Sequence, residues 1–271
     1  MTYAQCSRRR MQEYVIGLAL ALVLCVFASL SNALADTLSG HQPAAETQPA
    51  ASGPAPYPKD PAAWPGKGAI RVFDWMSQNR QAFWRERAAK RHAVVLAGDS
   101  LVGGWKTVDQ DFPGVKVANR GIGGDVSRGL LFRWKEDVLD LNPKAVVVLI
   151  GTNDLSAHQS PGDTAGNIAM LLDAVSAYDP ALPVILCTLP PRDNPKAPIT
   201  NAALLDLNRR IEALATGRQN VAVLDLYRIF ATTDGRPDER YFQNDRLHLN
   251  AVAYARFHDS LMPMLEVLHV H

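Results

Sequence analysis

Serine, histidine and aspartate together cleave acyl esters. A serine hydroxyl is a weak nucleophile until a base takes its proton, and an imidazole does that best when a carboxylate holds its far nitrogen. Ser100 stands in Gly98-Asp99-Ser100-Leu101, and His248 follows Asp245 by three residues in Asp245-Arg246-Leu247-His248-Leu249-Asn250. At that spacing Asp245 can reach one ring nitrogen, fix the tautomer and stabilise the imidazolium, leaving the other nitrogen as base. The same chemistry needs donors for the oxyanion. Gly124, in Asn119-Arg120-Gly121-Ile122-Gly123-Gly124-Asp125, offers a backbone N–H with no side chain in the way. Asn153, in Gly151-Thr152-Asn153-Asp154, offers a side-chain N–H, and Ser100 adds its own amide. Taken singly, each block has an ordinary alternative: Ser100 as a helix N-cap, Asp245 and His248 as a surface pair, Asn153 as a turn residue.

Competing chemistries find less support. Gly121-x-Gly123 resembles a dinucleotide fingerprint, but the third glycine is missing, because position 126 is Val126. No third or fourth ligand stands at metal spacing around His248, so neither metal nor cofactor is expected. His41, His92, His158, His258, His269 and His271 lack a comparable partner, and His258 reads as structural. Cys187 lies inside an apolar run and reads as an inert core thiol. Asp99 and Asp125 are expected to brace the site loops. Asn201 and Asn208 read as structural helix residues, and Arg192, in Pro190-Pro191-Arg192-Asp193, as a surface-loop arginine.

These blocks need elements to position them. Five short apolar runs occur at 93–97, 115–118, 145–150, 184–189 and 221–226. Runs that are apolar throughout suit strands buried on both faces of a parallel sheet. Helical stretches are expected at about 68–91, with Ile70, Phe73, Met76, Phe83 and Trp84 on one face, and at 126–141, 161–178, 200–215 and 250–268. Pro263 is expected to kink or shorten the last. The alternation predicts a three-layer α/β/α sandwich with a five-stranded parallel sheet. Ligands bind such sheets beyond the carboxyl ends of the strands, where Ser100, Gly124 and Asn153 each follow a strand of their own.

The whole sequence has 271 residues, 47% hydrophobic and 20% charged, with a formal net charge of +1. That length buries a sizeable core without disulfides. The balanced charge gives no footprint for nucleic acid and suits a neutral substrate. Residues 1–35 read as a signal peptide: Arg8, Arg9 and Arg10 precede an apolar run from Tyr14 to Leu30, and Ala33-Leu34-Ala35 supplies a small-x-small cleavage site. The alternative is an uncleaved anchor, the one route by which a membrane would be a partner. Cleavage would remove Cys6 and Cys25 and leave Cys187 alone. Residues 36–66 are rich in proline and alanine and read as a stiff linker without a packable pattern. Residues 67–271 are then one catalytic domain, and the chain is expected to be periplasmic or secreted.

The arrangement resembles the SGNH/GDSL hydrolase superfamily. Ser100 matches its nucleophile, Gly124 and Asn153 its oxyanion residues, and Asp245 with His248 its base pair, in the family's order. Within it, the chain is most similar to the catalytic subunits of intracellular platelet-activating-factor acetylhydrolase. The likeness starts at Trp75-Met76-Ser77 and runs through GDSLV at 98–102, NRGIGGDVSRGLLFRW at 119–134, NPKAVVVLIGTND at 142–154 and LPPR at 189–192 to the last helix. The resemblance implies a flavodoxin-like sheet and cofactor-free hydrolysis of short acyl esters. Because those subunits are intracellular and this chain carries an export signal, it points to a small ester or O-acylated glycan, acetyl first, as substrate. Hydrolysis of phospholipid or aryl esters, glycan O-acyl transfer through the same acyl-enzyme, and a non-catalytic glycan-binding module are the alternatives.

Overall fold

The computed structural model of the protein describes residues 53–268. The expected signal peptide at 1–35, with Cys6 and Cys25, lies outside the described residues, as do 36–52 of the expected linker and His41, His269 and His271.

The five apolar runs form β1 (Val94–Gly98), β2 (Val117–Gly121), β3 (Ala145–Leu149), β4 (Val184–Cys187) and β5 (Val221–Leu224). All pair in parallel, in the order β2-β1-β3-β4-β5. Every residue of β1, β3 and β4 is buried, because helices cover both faces of the sheet. The helices are α1 (Asp74–Glu86), α2 (Ser100–Gly103), α3 (Val108–Asp111), α4 (Ser127–Asp137), α5 (Thr152–Ser156), α6 (Pro161–Tyr178), α7 (Asn201–Ala215), α8 (Leu226–Phe230) and α9 (Ala251–Val267).

The step from β1 to β2 runs opposite to the later steps. Right-handed crossovers therefore place α2 and α3 on one face and α4, α6 and α7 on the other, where these three pack side by side. On the first face, Trp105 stacks on Tyr254 of α9 at 5.1 Å and lies 5.2 Å from the Phe257 ring. This is the three-layer α/β/α sandwich expected from the sequence. Helix α9 runs through Pro263 to Val267, so the proline does not shorten it.

The first helix ends at Glu86, not 91, the helix expected at 126–141 ends at Asp137, and the second strand is shifted to Val117–Gly121; two further differences bear on the site. The first helix begins at Asp74, not near Gly68. Asn167 Oδ1 accepts from Lys67 N at 2.9 Å, and Gln159 Oε1 accepts from Ala69 N at 2.6 Å. Those backbone donors are satisfied by side chains in an extended stretch, which leaves nothing for a helix to gain there. The second is the supposed linker, which from Gly53 onward packs on the domain. Tyr57 and Trp64 stack at 5.5 Å and both lean on Phe132, at 5.4 and 5.3 Å. Arg128 donates to the carbonyls of Pro61, Trp64, Pro65 and Gly68, and Arg80 donates to Ala55 O. A proline-rich stretch has no period, but two aromatic rings in it suffice to anchor an arm.

Candidate active site

The sheet order reverses between β1 and β3, and the crevice beyond their carboxyl ends is where parallel sheets bind ligands. The register aligns three strand ends there: Gly98 pairs with Gly121 on one side and with Leu149 on the other. Ser100, Gly123–Gly124 and Asn153 therefore emerge side by side. The packing behind them is tight. A Cβ on Gly121 would lie 2.1 Å from the Gly103 nitrogen, so only glycine lets β2 and α2 approach this closely.

The structure brings Ser100, His248 and Asp245 into one hydrogen-bonded line. His248 Nε2 lies 3.0 Å from Ser100 Oγ, and its Nδ1 lies 2.5 Å from Asp245 Oδ2. An ionised carboxylate only accepts, so it keeps the ring proton on Nδ1 and leaves Nε2 able to accept from serine. The other oxygen of Asp245 accepts from the backbone N–H groups of Leu247 and His248, at 3.1 and 3.0 Å. Partial burial alone would raise the Asp245 pKa. The hydrogen bonds from the His248 amide and ring and from Leu247 outweigh it and hold the carboxyl below its ordinary range. The loop is built for this. Phe242 and Leu249 pair as an antiparallel bridge, Arg246 turns the chain at φ 53°, and Arg246 O accepts from Asp193 N beyond β4 at 3.0 Å.

Three candidate oxyanion donors emerge at the same strand ends. Ser100 is the first residue of α2, so its N–H has no acceptor within the helix. Gly124 sits at φ +83°, and a Cβ there would press against the Phe73 ring at 3.1 Å. Asn153 Nδ2 donates to Asp125 O at 2.9 Å, which orients the amide and leaves its second hydrogen for a ligand. Donors fixed before the reaction are worth most, since they need no reorganisation as charge develops.

Behind the loops lies a buried ionic network. Arg133, fully buried, donates through Nε to Asp125 Oδ2 at 2.8 Å and through Nη2 to Gly98 O at 3.0 Å, and pairs with Asp137 at 3.3 Å. Desolvation raises the pKa of both Asp125 and Asp137, with the charge of Arg133 opposing it. Asp154 accepts from Ser127 N and Oγ, and Asn167 joins Ser127 Oγ to Lys67 O. Asp99 caps α2 by accepting from Leu101 N at 2.9 Å. Burial pushes its pKa up to about 7 despite that bond. The bracing expected of Asp99 and Asp125 is thus explicit. Cys187 is a free buried thiol whose pKa burial drives upward.

Arg192 is a correction: it is buried, not a surface arginine. It donates to Thr152 O and Oγ1 and to Ser156 Oγ, and to Ala197 O, so it ties the β4 loop to the Asn153 helix. Asn208 grips Leu189 N and O, a structural role. His258 packs edge-on to Phe112. Sequence reasoning missed the contribution of the arm before α1. Arg71 Nη1 lies 3.4 Å from Asn153 Oδ1, and Trp75 Nε1 donates to Gly123 O at 2.9 Å. Phe73 was expected on the core face of a helix; it caps α1 and is exposed. The available signal was that Trp75 falls off the apolar stripe containing Phe73 and Met76.

Comparison with known proteins follows the same outline. Residues 96–256 match the GDSL-like lipase/acylhydrolase family. The chain is 29% identical over 201 residues to platelet-activating factor acetylhydrolase IB subunit alpha2 of Rattus norvegicus, covering 71% of this chain and 85% of that protein. It is similar to the structure of a GDSL-like lipase from Bacteroides thetaiotaomicron VPI-5482, with 28% identity and a TM-score of 0.63 over 71% of this chain and 98% of the other. A lipase/acylhydrolase from Enterococcus faecalis shares the fold at 23% identity and a TM-score of 0.54, over 64% of this chain and 95% of the other.

Proposed function

The chain belongs to the GDSL-like lipase/acylhydrolase family and is a carboxylic ester hydrolase; we propose that it is an exported serine esterase acting on short-chain, acetyl-type esters of glycans. The observation that carries the catalytic assignment is the hydrogen-bonded line from Ser100 Oγ through His248 to Asp245.

In this reading His248 Nε2 takes the Ser100 proton as Oγ attacks the ester carbonyl. The carbonyl oxygen becomes an oxyanion and receives hydrogen bonds from the Ser100 and Gly124 amides and from Asn153 Nδ2. The imidazolium, stabilised by Asp245, gives its proton to the departing alkoxide, and alcohol leaves the acyl-serine. Water then loses a proton to the same nitrogen, attacks the acyl carbon and releases the acid, restoring Ser100.

The acetyl assignment is supported by the named activity of the curated relatives. Export is supported by the basic, apolar and small-x-small succession at 1–35, and with it a periplasmic or secreted location. In this reading cleavage after Ala35 leaves the proline- and alanine-rich stretch and the catalytic domain as one exported chain. The test is acetate release from O-acetylated polysaccharides beside a p-nitrophenyl ester series of rising chain length. Preference for acetyl, lost in Ser100→Ala, is expected. Preference for long acyl chains overturns the acetyl reading. Amino-terminal sequencing of exported protein should begin at Asp36.

A further inference from the structure

Among the described residues, seven large hydrophobic side chains are exposed, and three of them, Val72, Phe73 and Trp75, fall within four positions. Phe73 and Trp75 stand beside the nucleophile. Trp75 Nε1 is fixed on Gly123 O at 2.9 Å, and a Cβ on Gly123 would lie 3.9 Å from Ser100 Cβ. The Phe73 ring edge borders Gly124. The two rings stack on each other at 4.4 Å, 13° from parallel, and Met76, fully buried, lies close to the same Gly124 backbone. Trp75 still leaves 48% of its surface open and Phe73 38%. An exposed tryptophan within a cluster of exposed apolar side chains, unlike a scattered single one, marks a binding surface. One that is also hydrogen-bonded to the oxyanion loop and backed by a second ring is a rigid surface already in place, at little further entropic cost to a ligand.

We propose that Trp75, backed by Phe73, forms the binding surface for the alcohol half of the ester, and that this half is a pyranose ring. The inference rests on the esterase reading above. The rings are stacked on each other, so the surface on offer is the outer face of the indole; a short acyl group is too small to cover it, and the platform falls to the alcohol side. That outer π face suits the C–H face of a sugar, whose slightly positive hydrogens meet the negative face of the aromatic ring. The polar edge of the sugar then meets the Arg71 guanidinium, which is half-buried beside Asn153.

The experiment compares kcat/KM for an O-acetylated xylo-oligosaccharide with that for ethyl acetate, whose alcohol has no ring. Trp75→Ala should lower the ratio of the two at least tenfold, and Trp75→Phe, which keeps a ring but not the N–H, should restore most of it. A fall of equal size on both substrates would mean that Trp75 only holds Gly123 in place, and would overturn the proposal, as would an unchanged ratio. A second measurement does not depend on turnover. In Ser100→Ala protein, the Trp75 indole N–H signal, assigned by its loss in Ser100→Ala/Trp75→Phe, should shift on titration with the same oligosaccharide. No shift at saturating ligand overturns the platform. Failure of Ser100-dependent hydrolysis with a shifted indole overturns the esterase reading alone.

Discussion

Asn153 donates its side-chain amide to the backbone carbonyl of Asp125, one residue past Gly124, at 2.9 Å. That bond joins the loops after β2 and β3, so the two candidate oxyanion donors are set relative to each other before substrate arrives. Arg71 on the carbonyl side of the same amide fixes which way it faces.

Removing the amide should therefore cost turnover more than binding. Asn153→Ala is expected to lower kcat by about 10²–10³ with a small change in KM, the loss typical of one oxyanion donor. Steady-state kinetics on a short ester, beside a thermal melt to confirm folding, would measure it. A loss under threefold in a folded variant would remove Asn153 from the oxyanion site.

Asp245→Asn should be damaging but incomplete. The asparagine oxygen can still accept from the Leu247 and His248 amides, so the loop keeps its shape. If the amide NH₂ faces Nδ1, it forces the proton onto Nε2, which can then no longer accept from Ser100. A fall of about 10²–10⁴ in kcat is expected, against background activity for Ser100→Ala. Equal rates in Asp245→Asn and the wild type would show that the carboxylate does no orienting.

The strand-end chemistry was legible because it is local. Gly98-Asp99-Ser100 and Asp245-x-x-His248 carry their geometry within a few residues, and fully apolar runs announce a parallel sheet. What the sequence hid depends on long-range partners. Nothing near Arg192 in sequence shows that Thr152 and Ser156 await it. Nothing within 67–73 reveals that Asn167 and Gln159 take its backbone donors, so a helical pattern overran an extended arm. In 53–66, proline content masked the two rings that dock it.

That docking makes a stability prediction. Trp64 is 5% exposed, and Trp64→Ala is expected to destabilise the protein by about 3 kcal/mol, the low end for a buried aromatic truncation. Trp75→Ala, at an exposed ring, should cost less than about 1 kcal/mol. Urea unfolding of the two variants would compare them. Equal and small losses would return residues 53–66 to the status of a linker.

The Arg133 network should be costly to break. Arg133→Met would leave the buried Asp125 carboxylate without its cation and is expected to cost about 3–5 kcal/mol. Because Asp125 O anchors Asn153, activity should fall at temperatures where the variant is still folded. A variant as stable as the wild type in chemical denaturation would show that the network contributes nothing net.

Asp99 should make stability fall as pH rises. Its Oδ1 caps α2, but its Oδ2 is buried without a partner, and desolvation there favours the protonated acid, with a folded pKa near 7 against an ordinary 3.8. Between those values the folded chain holds a proton that the unfolded chain releases. The stabilisation is therefore fully present below pH 4, declines as pH climbs, and is gone above about pH 7. Asp99→Asn keeps the capping oxygen and stays neutral at every pH. The difference between variant and wild type should thus move in the variant's favour from pH 4 to pH 8 by a few kcal/mol, at about 1.4 kcal/mol per pKa unit. Asp154, whose pKa burial raises to about 6, adds a decline of the same sign, but it is common to both proteins and cancels in the difference. Denaturation curves at pH 4, 6 and 8 would read the trend, and a difference that stays constant across them would mean that Asp99 is ionised in the fold.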